Sequence, residues 1–164
     1  MLSKNKTKIL IRSLIDKKIK ICVAESVTGG KFAHELVKHP NASKIFDYSI
    51  VSYSNESKIN ILDIKNKINQ FGVVSEEVAL EMVKQVSKFS HNKKVLSLSC
   101  TGQAGPNFLD KNHCLGTVFI GIKFKNSVNV LKKTFENRSR TKIIKLIVDE
   151  MINMSLKKLK IKII

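Results

Sequence analysis

The sequence predicts an α/β fold in which helices cover a mixed sheet, and three observations carry that prediction. Short apolar runs of strand character (Lys20–Ala24, Ile45–Tyr53, Val95–Cys100) alternate with segments whose apolar residues recur at helical spacing. Two further runs, Gly116–Phe124 and Ser127–Phe135, flank Lys125-Asn126 and read as a hairpin, which makes one strand pair antiparallel. The 164 residues, 43% of them apolar, suit a single domain over the whole chain, and no repeat, linker or composition break marks a second.

The elements follow in order. Ile9, Leu10, Ile11, Leu14 and Ile15 form a helical stripe over about Ser3–Lys17. Lys20–Ala24 is a short apolar run that reads as a buried strand and ends in Glu25-Ser26-Val27-Thr28-Gly29-Gly30. Phe32, Ala33, Leu36 and Val37 then recur at helical spacing, so the glycines open a helix, which Pro40-Asn41 breaks. Ile45–Tyr53 alternates as a strand, and Ser54 or Asn55 can cap a short helix after it. Ser75, followed by Glu76 and Glu77, starts the clearest helix, because a cap and two first-turn acids suit the macrodipole. Val95–Cys100 runs into Thr101-Gly102-Gln103-Ala104-Gly105-Pro106. After the hairpin, Ile143, Ile144, Leu146, Ile147, Met151 and Ile152 mark a closing helix over roughly Ser139–Lys158.

Composition narrows the function. Lys and Arg total 30 against 13 Asp and Glu, a net charge of +17. Such an excess invites nucleic acid, but only Arg12, Arg138 and Arg140 are arginines, whereas base readout and bidentate phosphate gripping favour Arg. The lysines are scattered, and the densest run, Lys157–Lys162, lies in a tail. The reading is a solvated basic surface with no nucleic-acid partner, whose field attracts small phosphate-bearing anions. Three cysteines (Cys22, Cys100, Cys114) make no disulfide scaffold or zinc pair, and His34, His39, His91 and His113 lack mutual ligand spacing, so no metal is expected. No run approaches the length of a membrane span, and the lysine-rich start lacks a signal-peptide core; a soluble, cytoplasmic protein is the expectation.

Two strand-end loops could hold an anion. Ser26-Val27-Thr28-Gly29-Gly30 and Thr101-Gly102-Gln103-Ala104-Gly105 place glycines where backbone N–H groups can approach a ligand, at the strand ends where α/β sheets bind. Each alone is equally a tight turn; both in one small domain point to a shared site. Glu25 either fixes its loop by accepting N–H bonds or sits exposed. A third segment is Tyr53-Ser54-Asn55-Glu56-Ser57-Lys58. With Asn55 as cap, Lys58 lies in the first helical turn, where the positive dipole end and the excess charge disfavour an ammonium. A lysine of depressed pKa can take a proton from a serine, with Tyr53 relaying that proton or holding a water.

Taken in order, Ala24–Gly30, Tyr53–Lys58, Gly72-Val73-Val74-Ser75-Glu76-Glu77, Thr101–Pro106 and Gly116-Thr117-Val118 resemble the C-terminal domain of the competence/damage-inducible protein CinA family, over about residues 5–155. That domain also occurs alone as nicotinamide-nucleotide amidase. The resemblance implies a compact three-layer α/β/α fold, commonly a homodimer. It also implies hydrolysis of the carboxamide of nicotinamide mononucleotide to nicotinate mononucleotide and ammonia, without metal or cofactor. The implied machinery is a serine nucleophile helped by a lysine and a tyrosine, positions that Lys58 and Tyr53 match. The nucleophile stays open between Ser43, in Pro40-Asn41-Ala42-Ser43, which is favoured, and Ser26, which would otherwise orient the amide with Thr28 and Thr101 nearby. Gly29, Gly30, Gly102 and Gly105 would line the substrate, and Arg138 matches a family arginine suited to the 5′-phosphate. The chain departs from the family pattern at Gln103 and at residues 107–115, where Asn107-Phe108-Leu109 replaces glycines and His113-Cys114-Leu115 precedes Gly116. The alternative is therefore a non-catalytic domain that binds a nucleotide or a partner.

Overall fold

The computed structural model describes residues 2–161; Lys162, in the basic tail, lies outside the described residues. In chain order the elements are α1 (Leu2–Asp16), β1 (Lys20–Glu25), α2 (Lys31–Val37), a 3-10 turn (Ala42–Lys44), β2 (Phe46–Val51) and α3 (Asn55–Leu62). They continue with α4 (Lys65–Phe71), α5 (Glu76–Lys88), β3 (Val95–Gly102), β4 (Thr117–Phe124), β5 (Ser127–Thr134) and α6 (Arg140–Lys158). The sequence announced neither the 3-10 turn nor helix α4. Helix α4 is two turns long and buries none of its residues, so it leaves no apolar stripe to read.

The strands form one mixed sheet in the order β2-β1-β3-β4-β5. β1 runs parallel to both β2 and β3, while β4 and β5 are antiparallel, as the Lys125-Asn126 turn requires. Alternation along β1 sorts the two layers. Ile21 and Val23 face a core shared with α1, α2 and α6, including Leu14, Phe32, Leu36 and Met151. Cys22 and Ala24 face the opposite core, against Leu62, Ile64, Val78 and Met82 of the α3–α5 layer. Helix α5 lies close on the sheet because β4 carries Gly121 beneath it. A Cβ there would sit 2.8 Å from the Ala79 carbonyl and 2.5 Å from Ser99 Oγ. The result is a three-layer α/β/α domain whose parallel strands all point their carboxyl ends to one pole.

Candidate active site

That pole collects five chain segments. The β1–α2 loop brings Ser26 and Val27, the β2–α3 connection with the first turn of α3 brings Tyr53 to Lys58, the α4–α5 loop brings Val73, the end of β3 and the loop after it bring Thr101 to Leu109, and the first residue of α6 brings Arg140. Together they line a cleft of about 420 Å³. This is where ligands sit in open α/β sheets.

Lys58 is set by local sequence. Ser54 caps α3, its Oγ accepting the Ser57 N–H at 3.0 Å, which fixes the first turn. Side chains in a helix lean toward its N-terminus, so Lys58 folds back over that turn. Its Nζ donates to the carbonyls of Tyr53 at 2.9 Å and Ser54 at 3.4 Å. The side chain is only 1% exposed, and no carboxylate lies within 4 Å among the described residues. Burial, disfavouring the charged form, lowers its pKa to about 8; Cys100 and Glu56 oppose that more weakly. Desolvation is thus the dominant cause, where the sequence reading invoked the helix start and the net charge.

Ser26 follows β1 directly. Its N–H donates to the Cys100 carbonyl at 3.2 Å, and its residue is 7% exposed on the cleft. Among the described residues its Oγ has no hydrogen-bond partner, unlike the hydroxyl of Thr101, which donates to the Val73 carbonyl at 2.7 Å. The backbone N–H groups of Val27 and Ala104 also donate to no other described residue. The cleft is therefore lined by a hydroxyl with no partner among the described residues and an amine of lowered pKa, and Val27 and Ala104 are among its lining residues whose amide N–H groups are unspent. Gly102 lines it because β4 passes close behind: a Cβ there would lie 2.6 Å from the Thr117 carbonyl.

Not every predicted residue arrives. Ser43 lies in the 3-10 turn before β2, its carbonyl accepting from Lys20 Nζ. Lys58 comes after β2, and six strand residues at roughly 3.3 Å each put the two at opposite poles, about 20 Å apart. Ser43 is therefore not the partner of Lys58. Thr28, Gly29 and Gly30 do not line the cleft either. Their loop wraps the carboxylate of Glu25, fully buried, which accepts from Thr28 Oγ1, from the N–H groups of Gly30, Phe32 and Ala33, and from Ser49 Oγ. The start of α2 already holds an anion, an internal one. Of the two open readings for Glu25, the loop-fixing one is right.

The arginine and the tyrosine also shift. Arg138 lines a neighbouring cleft, whereas Arg140 enters the one with Lys58. Its guanidinium donates to the Gly105 carbonyl and to Tyr53 Oη, both at 2.7 Å. The Tyr53 hydroxyl is thus engaged at the cleft mouth, and Tyr53 meets Lys58 through its carbonyl oxygen instead of its phenol. In Arg138-Ser139-Arg140 only the cap at Ser139 offered a cue to which arginine turns inward.

The CinA C-terminal domain model matches residues 3–159. This chain belongs to the CinA C-terminal domain family. A CinA-like protein of Fusobacterium nucleatum is 43% identical over 132 residues, covering 80% of this chain and 31% of the relative. Another from Flavobacterium psychrophilum is 40% identical over 153 residues, covering 92% and 36%. The chain thus spans about a third of the length of the curated relatives it matches. A crystal structure of a CinA superfamily protein from Klebsiella pneumoniae superposes with a TM-score of 0.90 over 96% of this chain and 98% of that one, at 23% identity. The two share the three-layer fold of this CinA domain. No helix among the described residues is long and apolar enough to cross a membrane, and none of their His, Cys, Asp and Glu groups gather as three or more potential metal ligands.

Proposed function

We propose that this CinA domain hydrolyses the carboxamide of nicotinamide mononucleotide, with Ser26 as nucleophile and Lys58 as general base and acid. The observation that carries the reading is the buried amine of Lys58, with a pKa of about 8, facing the same cleft as the unbonded hydroxyl of Ser26. About one Lys58 in ten is uncharged at pH 7, enough to accept a proton.

Neutral Lys58 takes the Ser26 proton as Oγ attacks the carboxamide carbon. The negative charge moves to the former carbonyl oxygen, for which the Val27 and Ala104 N–H groups, unspent and in residues that line the cleft just past the ends of β1 and β3, serve as donors; one such donor is worth roughly 3 kcal/mol. The Lys58 ammonium then protonates the amide nitrogen, the C–N bond breaks and ammonia leaves. The nicotinoyl ester on Ser26 is hydrolysed by water, whose proton passes to Lys58 and back to Ser26. The sum is amide plus water giving acid plus ammonia. Two of the five N–H donors of Arg140 are engaged, and the rest suit the 5′-phosphate at the cleft mouth.

Ammonia release from nicotinamide mononucleotide tests this. The wild-type domain releases it and Lys58→Ala does not. Tight binding of the mononucleotide with no release favours the non-catalytic alternative.

A further inference from the structure

We infer that Gln103 is a positioning residue for the substrate cleft: its side chain fastens residues 107–115 as the outer wall, and that fastening sets substrate affinity. The inference rests on the amidase reading of the cleft.

Gln103 sits just past β3 and is 1% exposed. Its Oε1 accepts the N–H groups of Leu109 and Asp110, both at 2.9 Å. Its Nε2 donates to the carbonyls of Asp110 at 2.9 Å and His113 at 2.6 Å, and more weakly to that of Cys114 at 3.3 Å. One amide thus satisfies five backbone groups of a segment that has no helix or strand. The large apolar side chains at the cleft end of the segment do not anchor it, since Phe108 and Leu109 stand 53% and 68% exposed; the ring contact of His113 with Phe119 lies at its far end. Asn107 and Leu109 nevertheless line the cleft, so the clip decides where that wall stands.

Only an amide can fill this role. Oxygen and nitrogen ends face amides and carbonyls respectively, so a carboxylate would keep the first pair of bonds and lose the rest, and an apolar side chain would lose all. A released wall must be ordered anew each time substrate binds, which weakens affinity. Ser26 and Lys58 belong to other segments. The Ala104 N–H follows Gln103 directly, but the Gln103 main chain holds it independently of the side chain: its N–H donates to the Thr117 carbonyl at 3.0 Å and its carbonyl accepts from the Gly116 N–H at 2.7 Å.

The test compares wild type, Gln103→Leu and Gln103→Glu by amide hydrogen exchange, by calorimetric titration with nicotinamide mononucleotide, and by kcat for ammonia release. In Gln103→Leu the Leu109 and Asp110 amides lose protection by at least about tenfold while β3 amides keep theirs, the Kd rises by at least about tenfold, and kcat stays within about threefold. Gln103→Glu, which keeps the Oε contacts, falls between, and it reports alone if the leucine variant does not fold. Unchanged exchange, an unchanged Kd, or a loss confined to kcat overturns the inference. A wild type that binds the mononucleotide but releases no ammonia overturns the amidase reading alone.

Discussion

Lys58 Nζ rests 2.9 Å from the carbonyl oxygen of Tyr53, so this lysine is held by main-chain dipoles, with no carboxylate within 4 Å among the described residues. A carboxylate partner would stabilise the ammonium and raise its pKa. Carbonyls in a dry site do so less, which keeps the amine near neutrality and usable as a base.

The same arrangement costs stability. The folded pKa of about 8 lies below the unfolded 10.5, so between those values the unfolded chain binds more protons and stability rises with pH. The cost applies in full below about pH 8 and amounts to something on the order of 3 kcal/mol. Lys58→Met should therefore be more stable than wild type at pH 7 by about 2–3 kcal/mol. That advantage fades as the pH rises from 8 to 10.5, and urea unfolding at several pH values checks it.

Activity should follow the same amine with the opposite demand. Because neutral Lys58 is the base, kcat/KM climbs with pH up to about 8 and levels off above it. A profile flat from pH 6 to 9 would remove Lys58 from the proton transfer.

Glu25 fills the start of α2 with its own carboxylate. Glu25→Ala leaves the amides of Gly30, Phe32 and Ala33 without their acceptor, and a loss of about 3 kcal/mol is expected. Chemical denaturation reads it, and Glu25→Gln should recover part of the loss by keeping one acceptor oxygen.

The two arginines should separate cleanly. Arg140→Ala removes the group bridging Tyr53 Oη and the Gly105 carbonyl, so KM for the mononucleotide should rise by about tenfold or more. Arg138→Ala, in the neighbouring cleft, should change KM by less than about threefold.

Much of this was legible in the residues. Periodicity and caps located every strand and all α-helices but α4, and they put Lys58 in the first turn of α3 with Asn55 as its cap, whereas the cap is Ser54, one residue earlier. The sequence even contained the reason against Ser43: a whole strand separates it from Lys58, and the ends of a strand lie at opposite poles. What lies beyond a sequence is packing. The burial of Lys58 comes from how α3 packs in the folded chain, and the helix dipole was a poor substitute for it. The glycines after Ser26 looked like an external anion site because Glu25, which occupies it, could as well have faced solvent. Gln103 was visible as an oddity, but its five loop partners are spread over residues 109–114 and meet only in the folded chain.

The most direct measurement is ammonia release from nicotinamide mononucleotide by the purified Ser26→Ala and Ser43→Ala variants beside wild type. Activity near the wild-type level in Ser43→Ala, with none in folded Ser26→Ala, is the predicted result. Turnover that survives the loss of Ser26 would contradict the account at its centre.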